Sequence, residues 1–129
     1  MKRIFYILIS VVLLSSCQKA DDNGDLGGFW KLLEIEDFAA DTIIVTKDID
    51  RFWSIQLDLL VTTGDAKGRF QYVGDSLYVQ MLTRPYGKIK SLREVGIYDP
   101  DDERFEVLHL SRSKMMLRSD SAFLEFRKF

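Results

Sequence analysis

The chain has very few of the residues that build covalent or metal-bound cores. Its 129 residues include one cysteine, Cys17, one histidine, His109, and two prolines. A single cysteine cannot form an intramolecular disulfide, and zinc sites normally draw several nitrogen or sulfur ligands. We therefore expect a domain that is held together by its hydrophobic core alone, with no metal site and no cofactor.

The sequence also lacks an apolar run long enough to cross a bilayer as a helix. Residues 4–13 are apolar except Ser10, and they follow the charged pair Lys2 and Arg3. A transmembrane helix needs about 20 apolar residues, so this run is too short to span. A charged start, a short apolar stretch and small residues are the layout of a secretory signal peptide, and we assign residues 1–16 to one.

Leu14, Ser15 and Ser16 stand directly before Cys17. This quartet resembles the lipobox of bacterial lipoproteins, in which the cysteine is acylated and becomes the first residue of the mature chain. The resemblance implies that Cys17 is the lipid-attachment site and that acyl chains hold the protein on a membrane, since two or three such chains anchor a protein stably. An ordinary signal peptide with an incidental cysteine is the alternative.

The residues that follow Cys17 predict a linker and a destination. Residues 18–25 are polar or small and offer nothing to bury, so residues 17–25 are interpreted as a flexible linker. Gln18 stands where an aspartate favours retention at the inner membrane, and residues 18–22 are similar to the acidic export signals of Bacteroidota lipoproteins. We expect an outer-membrane lipoprotein of the cell envelope, on the periplasmic face or at the cell surface.

Positive charge is in deficit. The chain has 18 lysines and arginines against 20 aspartates and glutamates, and Lys2 and Arg3 leave with the signal peptide. A mature protein with net negative charge lacks the basic surface that binds nucleic acid, so no nucleic-acid partner is expected.

From residue 26 onward the pattern is that of short consecutive strands. The clearest alternation runs from Trp53 to Thr62 and predicts one long strand, while residues 42–46 form a β-branched run typical of an edge strand. Near Leu32 the alternation changes phase, which indicates a β-bulge. Ser91 and Glu94 form a capping box for a short helix, the only helical signal. The prediction is an all-β domain over residues 26–129, a small antiparallel meander barrel of about eight strands, with a sandwich as the alternative.

Gly28, Phe29 and Trp30 at the start of the first strand resemble the Gly-x-Trp motif of the lipocalins. Residues 26–129 are similar to the small lipocalin-like lipoproteins of Bacteroidota, most of which have no assigned function. The resemblance implies that Trp30 closes one end of the barrel beneath a basic residue near the end of the chain, for which Arg127 is placed. It also implies that the first and last strands are neighbours.

The sequence nominates no catalytic group. His109 has no second histidine to work with, and Phe105 and Val107 would share its side of a strand. The acidic turn of residues 99–103 lacks the glycine and the distant glutamate of a calcium-binding EF-hand. No catalytic, cofactor-binding or metal-binding residue is predicted, and an enzyme is the least favoured of the functions considered.

Two functions remain. The first is a non-catalytic binding module for a small apolar or amphipathic ligand, held in a cavity that would be lined by Trp53, Phe70, Tyr72, Leu77 and Met81. The second is an accessory protein that docks on another envelope protein through its outer surface, with Tyr78, Tyr86 and Tyr98 as exposed aromatic candidates. An internal cavity near 300 Å³, the lower range for ligand pockets, would separate the two.

Overall fold

The computed structural model describes residues 23–129. The predicted signal peptide, the predicted lipid-attachment site Cys17 and most of the predicted linker lie outside the described residues. The described chain contains nine strands and two short 3-10 helices, Gly24–Leu26 and Leu92–Val95. The strands are β1 (Gly28–Asp37), β2 (Thr42–Val45), β3 (Phe52–Gln56), β4 (Leu59–Thr62), β5 (Ala66–Val73), β6 (Ser76–Met81), β7 (Glu103–Leu110), β8 (Lys114–Arg118) and β9 (Ala122–Lys128).

Eight of these strands close into an antiparallel barrel. The chain runs from β3 to β9 as a meander in which each strand pairs with the next, and β1 pairs with both β3 and β9. The β1–β9 ladder extends from Trp30 opposite Lys128 to Asp37 opposite Ala122. The predicted all-β meander barrel is confirmed, and so is the prediction that the first and last strands of the domain are neighbours.

The ninth strand, β2, lies outside the closed barrel. The first half of β1 pairs with β3, whereas its second half, Glu34 to Asp37, pairs on the same edge with β2. The β1–β9 register shifts between Leu32 and Glu34, which is the bulge that the phase change predicts. Beyond this bulge β1 pairs with β2, which pairs with no other described strand and is therefore an edge strand, as predicted.

The predicted long strand from Trp53 to Thr62 is wrong. The chain reverses at Leu57, whose φ of 55° is left-handed, and Trp53 faces Thr62 across a hairpin of β3 and β4. Leu57 is therefore exposed and Leu60 is buried. One continuous strand would instead bury Leu57 with Trp53 and expose Leu60. The uninterrupted apolar spacing hides this turn, because neither glycine nor proline marks it.

The interior of the barrel is filled by side chains. Trp30, Trp53, Phe105 and Phe126 are fully buried, and the Trp53 ring centroid lies 4.8 Å from that of Phe126 and 5.5 Å from that of Phe105. An eight-stranded barrel is just wide enough for its own side chains to occupy it. In the described part of the chain, no helix is long and apolar enough to cross a membrane.

The fold begins slightly before the predicted domain boundary. Asp25, assigned to the linker, belongs to the first 3-10 helix, and its carbonyl oxygen accepts a hydrogen bond of 2.9 Å from Lys128 Nζ. The Asn23 side chain donates to the carbonyl of Leu57 at 2.8 Å. The chain thus enters the barrel beside the β3–β4 turn, at the end that Trp30 occupies.

Candidate functional site

One end of the barrel is closed by Trp30, as predicted. Its side chain is 0% exposed and its indole Nε1 donates to the carbonyl of Leu26 at 2.8 Å. The short helix Gly24–Leu26 therefore lies across this end and is held by the tryptophan itself. A buried indole N–H needs such a partner, and here the backbone supplies it.

The cation over Trp30 is Lys128, and the prediction of Arg127 is wrong by one residue. Lys128 Nζ lies 4.6 Å from the centre of the Trp30 ring, whereas Arg127 is exposed and faces Lys31 and Lys114. Residues that face each other across a ladder share one side of the sheet, and Lys128 is the partner of Trp30. Successive residues alternate, so Arg127 points to the other side.

The opposite end of the barrel is closed by the connection between β6 and β7, residues 82–102, here called the plug. Its apolar side chains Ile89, Leu92, Val95 and Ile97 are buried in the barrel core. The indole Nε1 of Trp53 donates to the carbonyl of Val95 at 2.9 Å, which ties the plug to the barrel wall.

The capping box of Ser91 and Glu94 is present, as predicted, but the helix that it starts is a single 3-10 turn, Leu92–Val95. Gly96 ends that turn with a φ of 87°. A methyl group on Gly96 would lie 2.5 Å from a Leu124 side-chain carbon, so the plug and β9 are in close contact there. The plug is packed into the end of the barrel rather than laid over an open mouth.

The five residues predicted to line a cavity do not do so together. Trp53, Leu77 and Met81 belong to the packed core, and Phe70 is only partly buried against it. Tyr72 is 37% exposed. The β4–β5 ladder ends at Arg69, so the part of β5 that contains Tyr72 extends beyond β4. Three of the five residues are thus part of the packed interior and two lie toward its surface.

An apolar cleft lies instead at the rim of the plugged end. This rim cleft has a volume of about 300 Å³ and separates the inner face of β2 from the plug. Ile35 on β1, Ile44 on β2 and Ile49 on the β2–β3 loop form its apolar wall. Sequence reasoning missed Ile44 and Ile49; the available signal was an isoleucine-rich edge strand with no evident partner to bury it.

The polar groups of the rim cleft are largely bonded to one another. Arg51 Nη2 lies 3.3 Å from Glu94 Oε1, and the Tyr98 hydroxyl donates to Asp37 Oδ2 at 2.9 Å. The Arg93 guanidinium lies over the Tyr98 ring, 4.9 Å from its centre. Two arginines thus face two carboxylates, and the cleft is close to neutral.

Hydrogen bonding and burial hold these groups in fixed ionisation states. The Ala40 N–H, followed by the Tyr98 hydroxyl, lowers the pKa of Asp37. Burial, followed by the hydrogen bond to Asp37, raises the pKa of Tyr98 to about 12. The hydrogen bond from the Lys90 N–H lowers the pKa of Glu94, and the nearby Ser91 N–H and Arg51 lower it further. At neutral pH the carboxylates are charged and the phenol keeps its proton.

A larger cleft of about 630 Å³ lies on the outside of the barrel, beside β7 and the β8–β9 turn. Its lining is polar, and half of the lining residues are acidic, among them Asp75, Asp102, Glu106 and Asp120. Such a lining does not suit an apolar ligand, so the rim cleft is the better candidate. Within residues 23–129, no group of three or more histidine, cysteine or acidic side chains is placed to hold a metal ion.

The remaining candidates lie apart from the rim cleft or only at its edge. Tyr78 and Tyr86 are exposed, whereas Tyr98 is half buried at the cleft. His109 is exposed as well, because the β7–β8 register shifts between Val107 and His109 and turns it out of the face that Phe105 occupies. The prediction that His109 shares one side of the strand with Phe105 and Val107 is therefore wrong.

The chain is similar in sequence and fold to known proteins. A family model described as a lipocalin-like domain matches residues 12–129. A lipocalin-like protein from Bacteroides uniformis has 23% sequence identity and a TM-score of 0.62, over 82% of this chain and 100% of that one. An uncharacterized protein from Bacteroides eggerthii has 19% identity and a TM-score of 0.63, over 80% of this chain and 98% of that one. No curated protein matches significantly in sequence.

Proposed function

The chain belongs to the lipocalin-like domain family, and from this we propose that it is a non-catalytic binding module for an apolar or amphipathic small molecule. The single observation that carries the proposal is the rim cleft, whose volume of about 300 Å³ stands at the lower end of the range for ligand pockets. The ligand binds between β2 and the plug, and not in the barrel interior that the sequence indicated.

The lining of the rim cleft supports a ligand with an apolar body. Ile44 and Ile49 keep 45% of their surface exposed although they flank the cleft, so a molecule seated there removes apolar surface from water. Each square ångström of apolar surface that the ligand removes from water contributes about 25 cal/mol to the free energy of binding. The charged groups at the edge satisfy one another, and they leave Arg93 as the group nearest to an anionic end of an amphipathic ligand.

The binding test uses 1-anilinonaphthalene-8-sulfonate, an apolar fluorophore with one anionic group, titrated into the protein. Ile44→Gln places a polar amide in the rim cleft and should weaken binding about 5- to 30-fold, the loss of one buried aliphatic contact of about 1 to 2 kcal/mol. Ile43→Gln is the matched control, because Ile43 is the neighbour on the same strand and faces the other side. Equal affinities for the two variants would overturn the assignment of the cleft.

The module works, in this proposal, as a lipid-anchored protein of the outer membrane, on its periplasmic face or at the cell surface. Cys17 carries the lipid. The described chain enters the fold at the Trp30 end, where Asn23 bonds to Leu57, and the rim cleft lies at the other end. The linker from the anchor therefore joins the domain at the end opposite the cleft, which leaves the cleft free to face away from the membrane.

Acylation is tested with a palmitate analogue supplied to growing cells. Wild-type protein should take up the label and sediment with membranes, and Cys17→Ser should do neither while its folded domain stays intact. Wild-type protein that stays unlabelled and fractionates with soluble exported proteins would overturn the anchor without touching the binding proposal.

A further inference from the structure

We propose that two copies of this chain associate through the outer edge of β2, in an antiparallel pairing centred on Ile44. The partner is a second copy of the same protein. The two β2 strands would form a continuous ladder that joins the sheets of the two barrels about a two-fold axis. The pairing uses the outer backbone edge of β2, whereas ligand binding uses the side chain of Ile44 on the cleft face of the same strand.

The first argument is that β2 presents the free edge of the sheet. Among the described strands, those of the barrel have neighbours on both sides, whereas β2 pairs with β1 alone. An edge strand offers a row of backbone donors and acceptors to another strand, and proteins usually protect such edges with lysine, proline or a bulge. β2 reads Thr-Ile-Ile-Val and carries none of these protections.

The second argument is the direction of the backbone groups. The Thr46 N–H donates to the carbonyl of Leu33 on β1 at 2.9 Å. Hydrogen-bonding direction alternates along an antiparallel strand, so Ile44 also turns its backbone groups toward β1, while Ile43 and Val45 turn theirs outward. A second strand can therefore bond to Ile43 and Val45.

Among the registers that these outward groups allow, the one centred on Ile44 pairs both Ile43 and Val45. If Ile44 faces Ile44 of the second copy, then Ile43 faces Val45 of that copy on both sides of the axis. Each Ile43–Val45 pair exchanges two backbone hydrogen bonds, which gives four in all. The pairing also covers apolar surface, since the side chains of Ile43 and Val45 are 60% and 57% exposed in the single chain.

The third argument is the charge at the two ends of β2. Asp41 precedes the strand and Lys47 follows it by two residues. Both side chains are exposed, and neither forms an ion pair within the described part of its own chain. The register centred on Ile44 brings Asp41 of each copy to the same end of the pairing as Lys47 of the other. A parallel pairing would instead place like charges side by side.

The contact is small, so the association is weak and depends on concentration. Stable interfaces bury about 1,200 Å² or more, and a four-residue strand pair buries less than that. The association is therefore measured by sedimentation over a wide concentration range, together with a covalent trap that captures short-lived pairs.

The covalent trap uses the full chain in a Cys17→Ser background, which contains no other cysteine. Ile44→Cys brings two thiols together at the two-fold axis, where Cα atoms of a non-hydrogen-bonded pair are about 4.5 Å apart, within disulfide range. Ile43→Cys is the control, because the Cα atoms at that position in the two copies would be more than about 7 Å apart, too far to bridge. Mild oxidation should yield a disulfide-linked dimer several-fold faster for Ile44→Cys, because only that pair of Cα atoms lies within disulfide range. Equal rates for both variants would overturn the register.

Charge reversal tests the same register independently. Asp41→Lys or Lys47→Asp alone places like charges together at both ends of the pairing and should weaken dimerisation about two- to thirtyfold, the range expected for two exposed ion pairs. The double variant, Asp41→Lys with Lys47→Asp, should restore wild-type association. A dimer indifferent to both single changes, or a double variant as weak as either single one, would exclude this interface.

Discussion

Lys128 Nζ lies 4.6 Å from the centre of the Trp30 ring and also donates to the carbonyl of Asp25 at 2.9 Å. Lys128 stands opposite Trp30 in the ladder that joins β9 to β1. One side chain thus links the last strand, the first strand and the chain segment that enters the domain. Lys128 therefore covers Trp30 at the closed end of the barrel.

Replacing either member of this pair should destabilise the domain. Trp30→Ala should lower the free energy of unfolding by about 3 to 5 kcal/mol, the range for a buried aromatic. Lys128→Ala should cost about 0.5 to 2 kcal/mol, because it loses a cation–π contact and a hydrogen bond. The double variant should lose less than the sum of both in urea unfolding. Arg127→Ala, on the exposed side of the same strand, is the control and should cost less than about 0.5 kcal/mol.

The Trp53 indole should control how firmly the plug is held. Trp53→Phe keeps an aromatic ring in the core but leaves the buried carbonyl of Val95 without its donor, which should cost about 1 to 3 kcal/mol. Amide hydrogen exchange of residues 92–97 should become faster in this variant. Trp30→Phe removes the equivalent bond at the other end and should leave that exchange less affected. Equal acceleration in both variants would mean that the plug opens only with the whole barrel.

Gly96 should tolerate no side chain. Gly96→Ala combines a left-handed backbone with a methyl group 2.5 Å from Leu124 and should cost more than about 2 kcal/mol. Gly74→Ala is the matched control: its φ is 61° but no atom lies within 4 Å, so only the backbone cost of about 1 kcal/mol applies. The difference in urea midpoints between the two variants measures how tightly the plug packs. If the two midpoints agree, the plug has room to move away from β9.

Glu94 should make stability depend on pH. Its pKa is lowered from the usual value of 4.5, so its ionised form stabilises the fold above that pH, and this contribution is lost as the pH falls through the folded-state pKa. Glu94→Gln should reduce stability at pH 7 by about 0.5 to 1 kcal/mol, a modest loss because the side chain is partly exposed. The gap between variant and wild type should close in acid. If the difference in stability between Glu94→Gln and the wild type stayed constant from pH 7 to pH 3, the loss would come from the changed side-chain shape and not from the lost charge.

Much of the barrel could be predicted from local patterns. The bulge near Leu32 and the capping box at Ser91 and Glu94 each depend on residues close in sequence, and both are confirmed. The motif around Trp30 correctly predicts that β1 and β9 are neighbours. The hairpin turn at Leu57 could not be predicted, because alternating apolar residues fit both a long strand and a hairpin.

The identity of the capping cation required the register between two distant strands. Arg127 and Lys128 are adjacent and both basic, and only the pairing of Trp30 with Lys128 determines which of them lies over the indole. The fate of the predicted cavity is a similar case. Trp53, Leu77 and Met81 are apolar in a core and in a pocket alike, and whether space remains between them depends on how the barrel closes and on the plug.

Local sequence patterns are enough to predict the all-β architecture, the edge strand and the tryptophan that closes one end. These follow from the spacing of apolar residues and from one short motif. The folded chain is needed to see that residues 82–102 fill the other end of the barrel and that a cleft remains beside Ile44. The physical reason is that closure and packing are properties of many strands at once, since the space left between side chains depends on every register in the barrel.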